Sequence, residues 1–135
     1  MTIIALLATS LLFGGMTLYS FGFAPLVFSA LPMDVAGKLL RYAFPFYYLF
    51  VIAIAMVASL ALLQIDYVSA GLMAAVAGGG LFSRQFLMEL INFFKDRGDT
   101  NSFNRAHFLS VAINMAQLLA LIFVLVRLVL QASIH

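Results

Sequence analysis

Four apolar stretches, each long enough to cross a bilayer, decide what this chain can fold into. They cover about residues 2–31, 45–63, 67–94 and 106–129. A spanning helix needs about 20 apolar residues at a rise of ~1.5 Å each. Hydrocarbon offers no partner to a bare amide or carbonyl, so each stretch must satisfy its own backbone, as a helix. A β-barrel needs short segments of alternating polarity, and the sequence has none. The charge content agrees, at 9% of 135 residues against roughly 25% in soluble domains. Seven basic and five acidic residues are too few to cover a soluble domain of this size. These features exclude a soluble enzyme, a disordered chain and a nucleic-acid-binding module.

The expected fold is therefore an all-α integral membrane protein. It is a single domain, a four-transmembrane-helix bundle with a short interfacial helix after the first span. The apolar run from Ile3 to Phe13 has no Lys or Arg before it. It therefore lacks the positive start of a secretory signal and is read as a retained first span. With no cysteine, disulfides, thiolate metal sites and cysteine nucleophiles are excluded.

Three connections join the spans. In the first, Pro32 to Phe44, Asp34 can cap a short helix. Val35, Leu39 and Tyr42 fall on one side of that helix, and Lys38 and Arg41 on another. Such a helix lies in the headgroup layer; a short solvated connector is the alternative. Pro45 then occupies the first turn of the second span, where a missing N–H costs nothing. The second connection, Gln64 to Tyr67, is short enough to force an antiparallel hairpin. The third runs from Lys95 to Arg105, with Gly98 and Asn101 as turn residues.

With four spans, the first and third connections share one face, which carries Lys38, Arg41, Lys95, Arg97 and Arg105. The opposite face has Arg127 alone. Basic loops stay on the cytoplasmic side. The expected location is the cell's inner (plasma) membrane, with both termini outside.

The fourth stretch carries a polar stripe, His107, Ser110, Asn114 and Gln117, spaced three, four and three apart. That spacing puts them on one helical face, which climbs about 15 Å from the basic end. At such depth these groups must face other helices or a wet cavity. One reading is interhelical glue. The other is a site for a small ligand, a metal or a proton, with His107 as its titratable member. Gln85, Glu89 and Asn92 form a similar face at the end of the third stretch. Glu89 needs a partner there, with Arg84, His107 and Arg105 as candidates, or else lies hydrated beyond the hydrocarbon. Tyr47 and Tyr48, in an aromatic group with Phe44 and Phe46, are interfacial anchors that can also reach the polar cluster.

Small residues recur every four positions, at Ser10 and Gly14, at Gly71, Ala75 and Gly79, and in a row through Ala70 and Ala74 to Gly78; Ser10, Gly14, Gly71, Ala75, Gly78 and Gly79 are the expected packing positions. They let helices approach closely. The run Gly78-Gly79-Gly80 is read as packing rather than as a broken, ion-binding segment. The seven methionines form no MxxM or HxxM pair and serve as apolar filler. A lone intramembrane histidine cannot supply two axial haem ligands within one chain, which leaves a site shared with a second chain as the alternative. No hydrolase, Walker or metalloprotease motif occurs, so no catalytic residue and no cofactor is assigned.

Three segments carry a resemblance: Gly14-Gly15-Met16 leading to Phe21 through Pro25, then Phe44-Pro45-Phe46-Tyr47-Tyr48, then His107 to Asn114 in the pattern HxxSxxxN. With the spacing of the spans, the chain resembles the transmembrane protein 205-like family. The resemblance implies a small four-spanning protein without established catalysis. A eukaryotic member's link to platinum-drug resistance implies handling of metals or membrane traffic. It also directs attention to His107, Ser110 and Asn114, and then to Pro45 and Tyr47. The expected function is non-catalytic, an accessory or partner-binding subunit of a larger inner-membrane assembly. Its partners are the lipid bilayer and other membrane subunits or copies of itself, not nucleic acid. A ligand, metal or proton site on the stripe is the alternative.

Overall fold

The computed structural model describes residues 2–134, and side chains to residue 131; all regular structure among them is helical. Four helices follow one another: α1 (Thr2–Ala30), α2 (Met33–Leu62), α3 (67–97) and α4 (Thr100–Ile134). Connections this short make sequence neighbours antiparallel. Each helix packs against the next, and α4 closes the ring on α1. Three helices are long and apolar enough to cross a membrane: α1, α2 and Thr100–Gln131 of α4. The third, α3, mixes an uncharged half, 67–83, with a charged end.

The headgroup-layer helix expected after the first span is instead the first third of α2, which runs unbroken through Pro45. The reason is packing. Ala36 and Leu40 are buried against Val27 of α1, flanked by Phe23, Leu31 and Phe44. That apolar face docks on protein, while Val35, Leu39 and Tyr42 point outward. The break between α1 and α2 is confined to Leu31 and Pro32, both extended, as a residue before proline prefers.

Both α1 and α3 contain a π turn, at Leu18–Phe23 and Ser83–Leu87. In α1 the N–H of Ala24 reaches back five residues to Tyr19. Pro25 follows at once; it has no N–H to give, and the wider turn relieves its ring. In α3 the N–H of Met88 bonds Ser83 in the same way.

The other connections are capped by their own sequence. Gly98, at φ 73°, ends α3 in the left-handed conformation, and the N–H of Asp99 closes on the Phe94 carbonyl at 3.0 Å. The Asp99 carboxylate then accepts from the N–H of Ser102 at 3.2 Å, starting α4 earlier than the hydropathy pattern indicated. The Ser102 hydroxyl first, and then its N–H, hold Asp99 below the usual carboxylate range. At the opposite end Asp66 caps α3 through the N–H of Val68 and accepts from Ser69 Oγ at 2.7 Å. Arg127 of α4 donates to both its oxygens, at 2.7 and 3.0 Å.

The two halves of the bundle differ in filling. Toward Asp66, Leu12 and Met16 of α1, Val51 and Leu62 of α2, Met73 of α3 and Leu121 of α4 form a dense core. Gly80 helps, since a Cβ there would lie 3.2–3.3 Å from Ile52 and Val51. Ser59 Oγ donates to the Ala70 carbonyl at 2.9 Å across α2 and α3. Toward the other end the core gives way to a cavity. Lys38, Arg41, Lys95, Arg97 and Arg105 gather at that basic end.

Candidate functional site

The cavity has a volume of about 520 Å³ and takes its walls from all four helices. Its inner end is a hydrogen-bonded cluster. Tyr47 OH donates to Asn114 Oδ1 at 2.8 Å, and Asn114 Nδ2 donates to Ser20 Oγ at 2.8 Å. Tyr48 OH and Ser110 Oγ lie 3.2 Å apart beside it. Tyr19 stacks on Tyr47 at 4.1 Å and meets Phe44 edge-on at 5.4 Å. The Tyr19 hydroxyl is buried and finds no hydrogen-bond partner among the described residues.

The rim carries Arg41, Lys95 and His107. Arg41 donates to Asp96 Oδ1 at 2.9 Å. Lys95 leans across α2, where a Cβ on Gly37 would lie 2.7 Å from its Nζ. His107 is exposed and stacks on Phe103 at 6.0 Å. No acidic residue is among the described residues lining the cavity. Close packing of α1 on α4 lies on Thr2–Thr17. Beyond it the cavity residues of α1, Tyr19 to Phe28, lie in and after the π turn, where the Asn114–Ser20 bond bridges a gap between the two helices. Exposed Phe21, Phe28 and Val111 flank that gap.

Over residues 7–100 the chain matches a family described as a domain of unknown function, DUF4149. The chain belongs to the DUF4149 family. No curated protein and no solved structure is significantly similar to it. The DUF4149 match takes in Ser20, Arg41, Tyr47, Tyr48 and Lys95, and ends before His107, Ser110 and Asn114.

The expected polar stripe divides in two in this DUF4149 member. His107, Ser110 and Asn114 line the cavity, with Tyr47 opposite. Gln117 instead is buried and donates to the Val76 carbonyl of α3 at 2.8 Å. Gly79 makes room for it, since a Cβ there would lie 3.0 Å from Gln117 Nε2. One residue of the stripe is thus interhelical glue, and three face the cavity.

Glu89 does not join the cluster. It is exposed, outside the cavity lining, with no ion pair to Arg84, His107 or Arg105. The π turn at Ser83–Leu87 adds a residue to the repeat, so Gln85, Glu89 and Asn92 do not continue one face. Of the three, Asn92 alone lines the cavity.

The small residues are also redistributed. A Cβ at Gly14, Gly71 or Gly78 would meet nothing within 4 Å, and Ser10 and Ala75 are exposed. These five face outward, so among the six expected packing positions Gly79 is the one used inside the chain. Gly15 does more, because a Cβ there would lie 2.8 Å from the Phe50 ring.

Ser20 and Tyr19 escaped the sequence reading. Their signal was present: two adjacent hydroxyls inside an apolar span, five or six residues before Pro25. Intramembrane polar groups of this kind mark a site or an interface.

Proposed function

We propose that this chain is a non-catalytic integral membrane protein that holds a small amphipathic molecule in the cavity between its four helices. One observation carries the reading: a 520 Å³ space beside the Tyr47–Asn114–Ser20 cluster. Ligand pockets of about 300–1,000 Å³ with few convergent polar groups are the usual form of a small-molecule site. The unpartnered Tyr19 hydroxyl adds a polar group on its wall.

We read α3 as a fourth span, crossing with its uncharged half, and place the chain in the inner membrane with its basic end in the cytoplasm. Exposed apolar side chains on all four helices, among them Leu7, Leu60, Phe86 and Leu119, support insertion. The three motif segments are the basis for kinship with the transmembrane protein 205-like family.

The test is native mass spectrometry of the full chain released from membranes. A retained small-molecule adduct is expected, and Val111→Trp, which puts a large ring at the gap, should lose it. A bare chain, or an adduct equally retained by the variant, contradicts the reading.

A second reading, an accessory subunit of a larger assembly, is favoured by the outward small-residue face Gly71, Ala75 and Gly78. Such faces let another membrane helix approach closely. Co-purification at fixed stoichiometry in mild detergent, abolished by Gly71→Leu with Gly78→Leu, is expected. A single unaccompanied species contradicts it.

A further inference from the structure

We infer that the cavity takes an amphiphile with one hydrocarbon chain and an anionic head, either a long-chain carboxylate or a monoacyl phosphate. Its head would sit at the Lys95, Arg41 and His107 rim. This rests on the cavity-binding reading above and names the class of molecule.

Charge is the first argument. The rim gathers a guanidinium, an ammonium and an imidazole with no acid among the described lining residues. Arg41 spends one Nη2 contact on Asp96, which leaves the rest of its donor fork. Lys95 has no carboxylate partner among the described residues. Gly37 lets its ammonium lie on the α2 backbone at the rim. A flat neutral headgroup has no use for such a rim. The inner polar groups, Tyr47, Asn114, Ser20, Tyr48 and Ser110, already bond one another.

Depth is the second. His107 lies 20 residues before Arg127 on α4, about 30 Å along the axis, which is one hydrocarbon thickness. With the Asp66–Arg127 pair at one interface, the rim falls at the other, where a lipid's anionic head resides. From there the cavity runs inward between Phe44, Met88, Ile91 and Met115. Its volume suits one chain and not two. The gap between α1 and α4, flanked by Phe21, Phe28 and Val111, gives entry from the acyl layer.

The experiment uses the full chain in detergent, loaded with the fluorescent fatty acid cis-parinarate. Competitors are oleate, oleoyl lysophosphatidate, oleyl alcohol and decylubiquinone. The two anions should displace the probe about tenfold better than the alcohol or the quinone, the worth of a charge-assisted contact. The stronger of the two identifies the head as carboxylate or phosphate. Lys95→Gln should weaken the anions about tenfold and leave the alcohol unchanged, while Lys95→Arg restores them. Equal displacement by oleyl alcohol or decylubiquinone, or an unchanged ratio in Lys95→Gln, overturns the anionic head and spares the cavity reading. If cis-parinarate does not bind, the long-chain anion falls and the cavity reading rests on the retained adduct; if it binds Val111→Trp as well as the parent chain, both fall.

Discussion

At the scale of the residue, Asp66 is the most heavily bonded carboxylate among the described residues. Arg127 holds it from two sides, Ser69 and the Val68 N–H from two more, and its side chain is 7% exposed. The guanidinium bond is the largest cause that keeps its acidity well below the ordinary carboxylate value, and the Ser69 bond adds to it against the opposing cost of burial. A depressed value in the folded state means stability present above the unfolded value, near pH 3.9. That stability is lost as pH falls through the lower folded value. Thermal melts of the detergent-solubilised chain should therefore drop in Tm on acidification below about pH 4. Asp66→Asn should melt lower at neutral pH and show a shallower acid decline; an unchanged acid slope contradicts the assignment. The Tyr47–Asn114 bond was half readable. Helical period put His107, Ser110 and Asn114 on one face, but the period is blind to what lies opposite. It could not separate Gln117, which meets a backbone carbonyl, from Asn114, which meets a tyrosine and a serine.

At the scale of the element, proline and the π turns explain what pattern reading missed. Pro45 looked like a helix start because that is where proline is tolerated best. Inside α2 it deprives the Arg41 carbonyl of its partner and crowds it. The helix continues because Ala36, Leu40 and Phe44 on one side of it, and Tyr47 and Tyr48 on the other, are all held by α1 and the core. Pro45→Ala should raise stability, by up to about 3 kcal/mol, in chemical or thermal unfolding. A neutral effect is what a helix beginning at Pro45 gives, and would contradict an unbroken α2. The π turns are a different failure of legibility. A single added residue in Ser83–Leu87 rotates everything after it, so Glu89 and Asn92 leave the face that they were expected to share with Gln85. No hydropathy profile carries that shift. The small-residue faces were legible as faces. Their direction was not, because lipid and a neighbouring helix are equally apolar environments.

At the scale of the whole molecule, the four apolar stretches and their antiparallel order follow directly from the sequence. The number that cross a membrane rests on α3, whose charged end sets it apart from the three helices long and apolar enough by length and composition. Two elements decide its path: the uncharged stretch 67–83, about 25 Å long, and Arg84 directly after it. An arginine at that depth reaches toward the headgroups along its own stem. If α3 crosses, the connections at residues 31–32 and 98–99 lie on one side and residues 63–66 on the other. The same crossing puts the cavity rim at the level of the headgroups, where the anionic head is proposed to sit. The chain has no cysteine, so single thiols can be placed without background. The decisive measurement is labelling of Asp34→Cys, Gln64→Cys and Asn101→Cys in intact spheroplasts by a membrane-impermeant maleimide. The bundle described here gives labelling at position 64 and protection at 34 and 101 until the membrane is opened. Labelling of 64 and 101 together, with 34 protected, would mean that α3 does not cross.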